Sequence, residues 1–262
     1  MTGRRTARRA SVPASPDRAR DLILTLLAVA AGCVDAVSFL GLGQVLTAAM
    51  TGNTVLLGLA LGEAEVQAAL RSTVALFGFF AGVLIGASIV ERRPGPIWSV
   101  AVAAALALEL VLLVVLSIAW HLGEGHAWVD HRFALIAVAG LAMGLQSAVA
   151  HRAGVAGIAT TYITGTLTTL ATRLVGSVRG HDPLGDHVEE ARSWLPVGVW
   201  LGYGAGAMVA GATYRWWSSL AMVLGIDDDV RWSSAALLLP IAIVFIVALT
   251  VAGKWCFRRP AT

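Results

Sequence analysis

Charge is scarce in this sequence. Only 13% of its 262 residues are Asp, Glu, Lys or Arg, against about 25% in soluble domains. That shortage excludes an ordinary water-soluble globule. Cysteine is nearly absent too. Cys33 and Cys256 both lie in or at the end of apolar runs, which excludes a disulfide framework and a cysteine-rich metal site. Several motifs are missing outright. No G-x-x-x-x-G-K-[ST] occurs, so nothing suggests an ATP-driven pump. Neither H-E-x-x-H nor G-x-S-x-G occurs, so no zincin-type protease or serine hydrolase is suggested. The reading is therefore not an enzyme, with no cofactor. His121, His126 and His131 share a loop with Glu124 and Asp130, but their five-residue spacing shares no helix face, so no metal is expected.

Apolar residues are abundant instead, at 57% of the chain. They gather into eight stretches, at about 22–40, 45–61, 72–90, 97–120, 133–150, 155–175, 197–212 and 235–256. A spanning helix needs about 20 mostly apolar residues. The runs do not alternate apolar with polar, so they are helices and not barrel strands. The expected class is an all-α polytopic membrane protein. Its tryptophans mostly lie near the ends of the apolar runs, at headgroup depth, with Trp200 slightly inside.

Positive charge crowds the two ends. Six arginines precede residue 21, and Lys254, Arg258 and Arg259 close the chain. By the positive-inside rule both termini are cytoplasmic. Residues 1–20 read as a disordered basic tail and 257–262 as a second, short tail. The long first run lacks an A-x-A site and is expected to remain as a signal anchor. Residues 21–256 form a single transmembrane domain.

That domain repeats itself. Gly32, Ala36 and Val37 match Gly144, Ala148 and Val149. One inserted residue later, Thr47, Thr51 and Gly52 match Thr160, Thr164 and Gly165, and Asn53 faces Thr166. Farther on, Gly78, Gly82 and Gly86 match Gly202, Gly206 and Ala210. Two repeats follow, at about 22–120 and 132–256. Residues four apart share a helix face, so these glycine rows are expected to pack helices closely.

Each repeat holds four apolar stretches, and the crossing number depends on the second. If it dips and returns, each half crosses three times and the halves are inverted, giving six crossings plus two broken or re-entrant segments. If it spans, there are eight full crossings. Positive charges split 15 to 4 between the two sides in the first arrangement and 14 to 5 in the second, which does not separate them. The paired polar interruptions favour six.

Two sequences carry a family resemblance. GCVDAVSFLGLG with LTAAMTGNTVLLGLALG, and AMGLQSAV with GIATTYITGTLTTLATRL, resemble the YoaK-type family of small bacterial inner-membrane proteins, a domain of unknown function. The likeness runs from about Leu22 to Cys256. It implies about six helices in a bacterial cytoplasmic membrane and supplies no substrate.

Polar groups inside the apolar runs mark the candidate site. A charge at the bilayer centre costs about 2.5–3.5 kcal/mol on insertion scales, and such groups are protonated, paired or facing a polar cavity. Asp35 is such a group. It reads either as a proton or cation site or as a hydrogen-bond anchor for the TGN segment. Glu109, alone in LALELVLLVV, reads as a tolerated neutral or partner-facing acid. Glycine-interrupted segments at matching places in two halves point to a transporter's binding site. The candidate substrate-binding residues are Asp35, Thr51, Gly52, Asn53, Gln146, Thr164, Gly165 and Thr166. The candidate packing residues are Gly78, Gly82, Gly86, Gly202 and Gly206. The function this suggests is a secondary transporter or permease for a small solute. A passive channel or a non-transporting membrane scaffold are the alternatives. The expected partners are the lipid bilayer, with a small solute and a proton or cation. A homo-oligomer is compatible with the sequence, and nucleic acid is not expected.

Overall fold

A computed structural model describes residues 18–91, 98–122, 128–153, 171–172, 175, 195–224 and 231–257. Among them are seven long or medium helices: α1 (Arg18–Gly41), α2 (Met50–Gly62), α3 (Val66–Val90), α4 (Val100–Leu122), α5 (Trp128–Arg152), α6 (Leu195–Leu224) and α7 (Arg231–Phe257). Arg18–Arg20, expected in the basic tail, already belong to α1. All these helices except α2 are long and apolar enough to cross a membrane. At 1.5 Å per residue, the 13 residues of α2 extend only about 20 Å, too short for a core of about 30 Å.

The first half turns back after one crossing. α1 ends in a glycine-type stop: Gly43 has φ +90°, and Gln44 N–H donates to the Phe39 carbonyl at 3.0 Å. A Cβ on Gly43 would lie 3.0 Å from Nε of Arg71. Gly43 follows the end of α1 closely and Arg71 follows the start of α3 closely, so α1 finishes on the side where α3 begins. The chain therefore returns through α3 without α2 having changed sides. This makes the expected re-entrant arrangement of the first half visible. The matching segment of the second half, Thr160–Leu167, lies outside the described residues.

Glycine seams join the halves. A Cβ on Gly78 would meet the backbone of Ala137, one on Gly82 that of Leu141, and one on Gly86 that of Leu145. Both helices advance four residues per step, so α3 and α5 run parallel. Likewise Gly202 abuts Thr25 and Gly206 abuts Val29, so α1 and α6 run parallel. The two seams correspond under the sequence repeat, Gly78 with Gly202 and Gly82 with Gly206. Since α1 opposes α3, it also opposes α5, its counterpart. The halves are inverted. Gly32 and Gly144, another matched pair, face the backbones of Tyr203 and Phe79, themselves equivalent positions. In lipid, such seams hold through dispersion and close backbone approach.

The outer helices complete the bundle, with α4 packing on α7 and on α5, and α7 on α1. On α4, Val102, Leu106, Glu109, Leu113, Leu116 and Trp120 are buried, a seven-residue rhythm that keeps one seam inward. Trp98 and Trp120 do lie at the two ends of α4, yet both are buried within the bundle. Trp216 is exposed. On α7, Pro240 lies inside the helix. Proline has no N–H, so the Ala236 carbonyl loses its intrahelical donor. The Cys33 thiol of α1 donates to that carbonyl at 3.3 Å.

Candidate functional site

The TGN segment becomes intelligible through the loop before it. Residues 42–49 carry Leu42, Val45, Ala48 and Ala49 inward, an apolar floor that holds the loop inside the bundle. Asn53, on the first turn of α2, is fully buried. Its side-chain amide pairs with one loop residue on both edges: Leu46 N–H donates to Oδ1 at 2.9 Å, and Nδ2 donates to the Leu46 carbonyl. Nδ2 also approaches the Met50 sulfur at 3.7 Å. Asn53 thus stands in for a peptide group and clips the loop to the helix. Gly52 makes the room, because a Cβ there would fall 2.6 Å from Leu46 Cδ1. Thr51 and Thr54 face outward, and Thr54 Oγ1 donates back to the Met50 carbonyl at 3.0 Å, satisfying its hydroxyl locally.

Asp35 anchors the same loop from α1. Its Oδ1 accepts from Thr47 N–H at 2.6 Å, from Thr47 Oγ1 at 3.2 Å and from Ala48 N–H at 2.6 Å. Its Oδ2 accepts from Ala49 N–H at 2.9 Å and from the Tyr203 hydroxyl of α6. Ser38 Oγ lies 3.4 Å from Thr47 Oγ1 and extends the network. Backbone N–H groups leading into a helix form a natural anion cradle, reinforced by the helix dipole. α2 has no acidic residue in its first turn and no side-chain cap of its own, and Asp35 supplies the negative charge from another helix. Five donors on one carboxyl group use its acceptor sites fully within the fold. The two readings of Asp35 from sequence are thus weighted by geometry: in this conformation its acceptor sites serve the loop.

The structure therefore gathers Asp35, Gly52 and Asn53 around one loop. Gln146 stands apart. Its Nε2 donates to the Leu27 carbonyl at 2.9 Å, about two helical turns along α1 from Asp35, and its Oε1 is buried without a partner. Thr164, Gly165 and Thr166 lie outside the described residues. Among the described residues, no cluster of His, Cys, Asp and Glu could hold a metal ion. Tyr203 was not visible as a site residue in the sequence. The repeat contained a signal: Tyr203 occupies the place of Phe79, and Asp35 that of Ser147. The two departures from the repeat find each other across the α1–α6 seam.

Inverted halves, each with three helices among the described residues long and apolar enough to span, and a re-entrant loop of the first half anchored across their seam define a multi-pass α-helical membrane protein built by duplication. The profile of the family described as "Protein of unknown function (DUF1275)" matches residues 23–250, and the chain belongs to that family. Among its relatives, the UPF0700 transmembrane protein YoaK of Bacillus subtilis (strain 168) is 41% identical over 157 residues, covering 60% of this chain and 68% of the relative. No solved structure matches.

Proposed function

We propose that this protein is a secondary transporter of a small solute in the bacterial cytoplasmic membrane, with both termini cytoplasmic and no covalent chemistry. One observation carries the reading. The re-entrant loop of the first half is bonded, through Asp35, to Tyr203 on α6 of the second half. Inverted halves that rock against each other around a central site achieve alternating access. A bond from one half's loop to the other half's helix reports their relative position. A hydrogen bond from a hydroxyl to a carboxylate can be made and broken with small displacements. The solute would take Thr51 and, by the sequence repeat, Thr164–Thr166 as its polar contacts, with a proton or cation as its coupling partner.

A non-transporting scaffold is the second reading, and a specific observation favours it. Asp35 and Asn53 direct their hydrogen bonds to the loop, which is what a purely structural plug requires. The two readings separate in one experiment. The purified protein is screened by thermal shift against pools of amino acids, sugars, nucleosides and organic anions. Hits are then measured for counterflow in proteoliposomes. Transport predicts saturable counterflow that falls at least tenfold in a folded Asn53→Leu, Thr164→Val double variant. Flux unchanged in that variant would sink the site assignment. Flux without saturation or counterflow would indicate a channel, and no flux with any pool would favour the scaffold.

A further inference from the structure

The two buried acids among the described residues sit in opposite surroundings. Asp35 receives five hydrogen bonds. Glu109, nine residues into α4, receives none: it is 0% exposed, and both Oε1 and Oε2 are buried without a partner. It occupies the inward seam of α4, between Leu106 and Leu113. The helices packed against α4 are α3, α5 and α7. Arg71 of α3 and His131, Arg132, His151 and Arg152 of α5 lie toward the helix ends, and the inner stretches, residues 72–90, 133–150 and 236–253, contain no Asp, Glu, Lys, Arg, His, Tyr or Cys. No counter-charge or titratable neighbour is available from any of them. An ionised carboxylate cannot be supported there, because removing it from water is repaid only by close, good donors. The form that fits is the neutral acid.

The helix opposite is interrupted. α7 carries Pro240 on its buried side, and its seam residues Leu237, Val244 and Val247 are buried. A proline breaks the ladder of hydrogen bonds and marks a place where a helix can bend. The acid's own O–H and C=O are left unmet while the seam is closed, a cost that water reaching Glu109 would relieve. We propose that Glu109 is a proton-binding site, loaded in the closed bundle and exchanging its proton with water when the α4–α7 seam opens. This goes beyond the transport reading and does not depend on it, since the ligand is the proton itself.

The test reads that proton directly, with the full-length protein in detergent or lipid and no solute. Infrared spectra are compared for wild type and Glu109→Gln, whose amide keeps the size of the side chain. The expected result is a protonated-carboxyl C=O band that is lost in the variant and shifts to lower frequency when the wild type is moved into D2O. A second route needs no variant. Dicyclohexylcarbodiimide enters apolar regions and reacts with neutral carboxylic acids. The carboxyl oxygen bonds to the carbodiimide carbon, one C=N double bond becomes single, and the acid proton moves to nitrogen. The product rearranges to a stable N-acylurea that peptide mapping locates. An adduct at Glu109 that abolishes the same band assigns it even if Glu109→Gln does not fold. The proposal is overturned if no protonated-carboxyl band belongs to Glu109. It is equally overturned if the band is present but does not move after prolonged exposure to D2O, because the acid is then a sealed structural group.

Discussion

At the scale of single residues, the polar groups of this protein are distinguished by what they touch and not by where they fall in the sequence. Asp35 is the strongest case. Replacing it with alanine leaves the N–H groups of Thr47, Ala48 and Ala49 without their acceptor. At about 1–3 kcal/mol for each buried orphan donor, Asp35→Ala is expected to lower stability by at least about 3 kcal/mol. Tyr203→Phe removes one donor only and is expected to cost about 1.5–3 kcal/mol, the range for a bond to a charged group. Thermal unfolding in detergent checks both. Equal effects would show that the loop is not what Asp35 holds. Cys33 offers a second residue-scale test. Cys33→Ala should cost roughly 1–2 kcal/mol by orphaning the Ala236 carbonyl. In a Pro240→Ala background that carbonyl regains an intrahelical donor, so the same change should cost markedly less. A double-mutant cycle with zero coupling would refute the link between thiol and proline.

At the scale of elements, glycines divide into two kinds, which the sequence spells identically. Gly82 and Gly206 interlock with the backbones of Leu141 and Val29, whereas a Cβ on Gly58 of α2 would meet nothing within 4 Å. Gly82→Ala and Gly206→Ala are therefore expected to push the paired helices apart, at about 1–3 kcal/mol each for overpacking. Gly58→Ala should be neutral or slightly stabilising, because alanine is the better helix former by about 1 kcal/mol. A destabilised Gly58→Ala with an intact Gly82→Ala would invert this assignment of seams. α2 is the element least explained by its own sequence. It has no capping side chain, and its start is fixed by Asp35 on α1 and by Asn53 folding back on Leu46.

At the scale of the whole molecule, the first re-entrant segment sets the topology. Because α3 spans, the turns at Glu63 and Glu91 lie on opposite faces of the membrane; the return of α2 decides which face each takes, Glu63 outside and Glu91 inside if the termini are cytoplasmic. A membrane-impermeant maleimide should label Glu63→Cys in intact cells and Glu91→Cys only after the membrane is opened. The reverse pattern, Glu91→Cys labelled in intact cells and Glu63→Cys protected, would mean that α2 crosses and would overturn the six-crossing arrangement. The inverted relation also accounts for two parallel glycine seams in a chain of alternating helices. Each seam joins one helix from each half, so the two halves are held by each other and not by their own neighbours alone.

Composition and periodicity alone determined that this chain lives in a membrane as helices, that it is duplicated, and that Gly78, Gly82, Gly202 and Gly206 pack. These properties depend on transfer from water and on local spacing, which a sequence records directly. The same patterns left six and eight crossings nearly equal, because a 13-residue apolar helix and a span look alike in hydropathy until their ends are placed. The proximity of Gly43 to Arg71 decided it for the first half. The meaning of Asp35, Asn53, Cys33 and Tyr203 was likewise settled only by tertiary structure. A hydrogen bond between residues 35 and 203 joins groups that no local pattern couples. Burial is a property of the assembled bundle, and only the bundle shows that one acid meets five donors while another, Glu109, meets none.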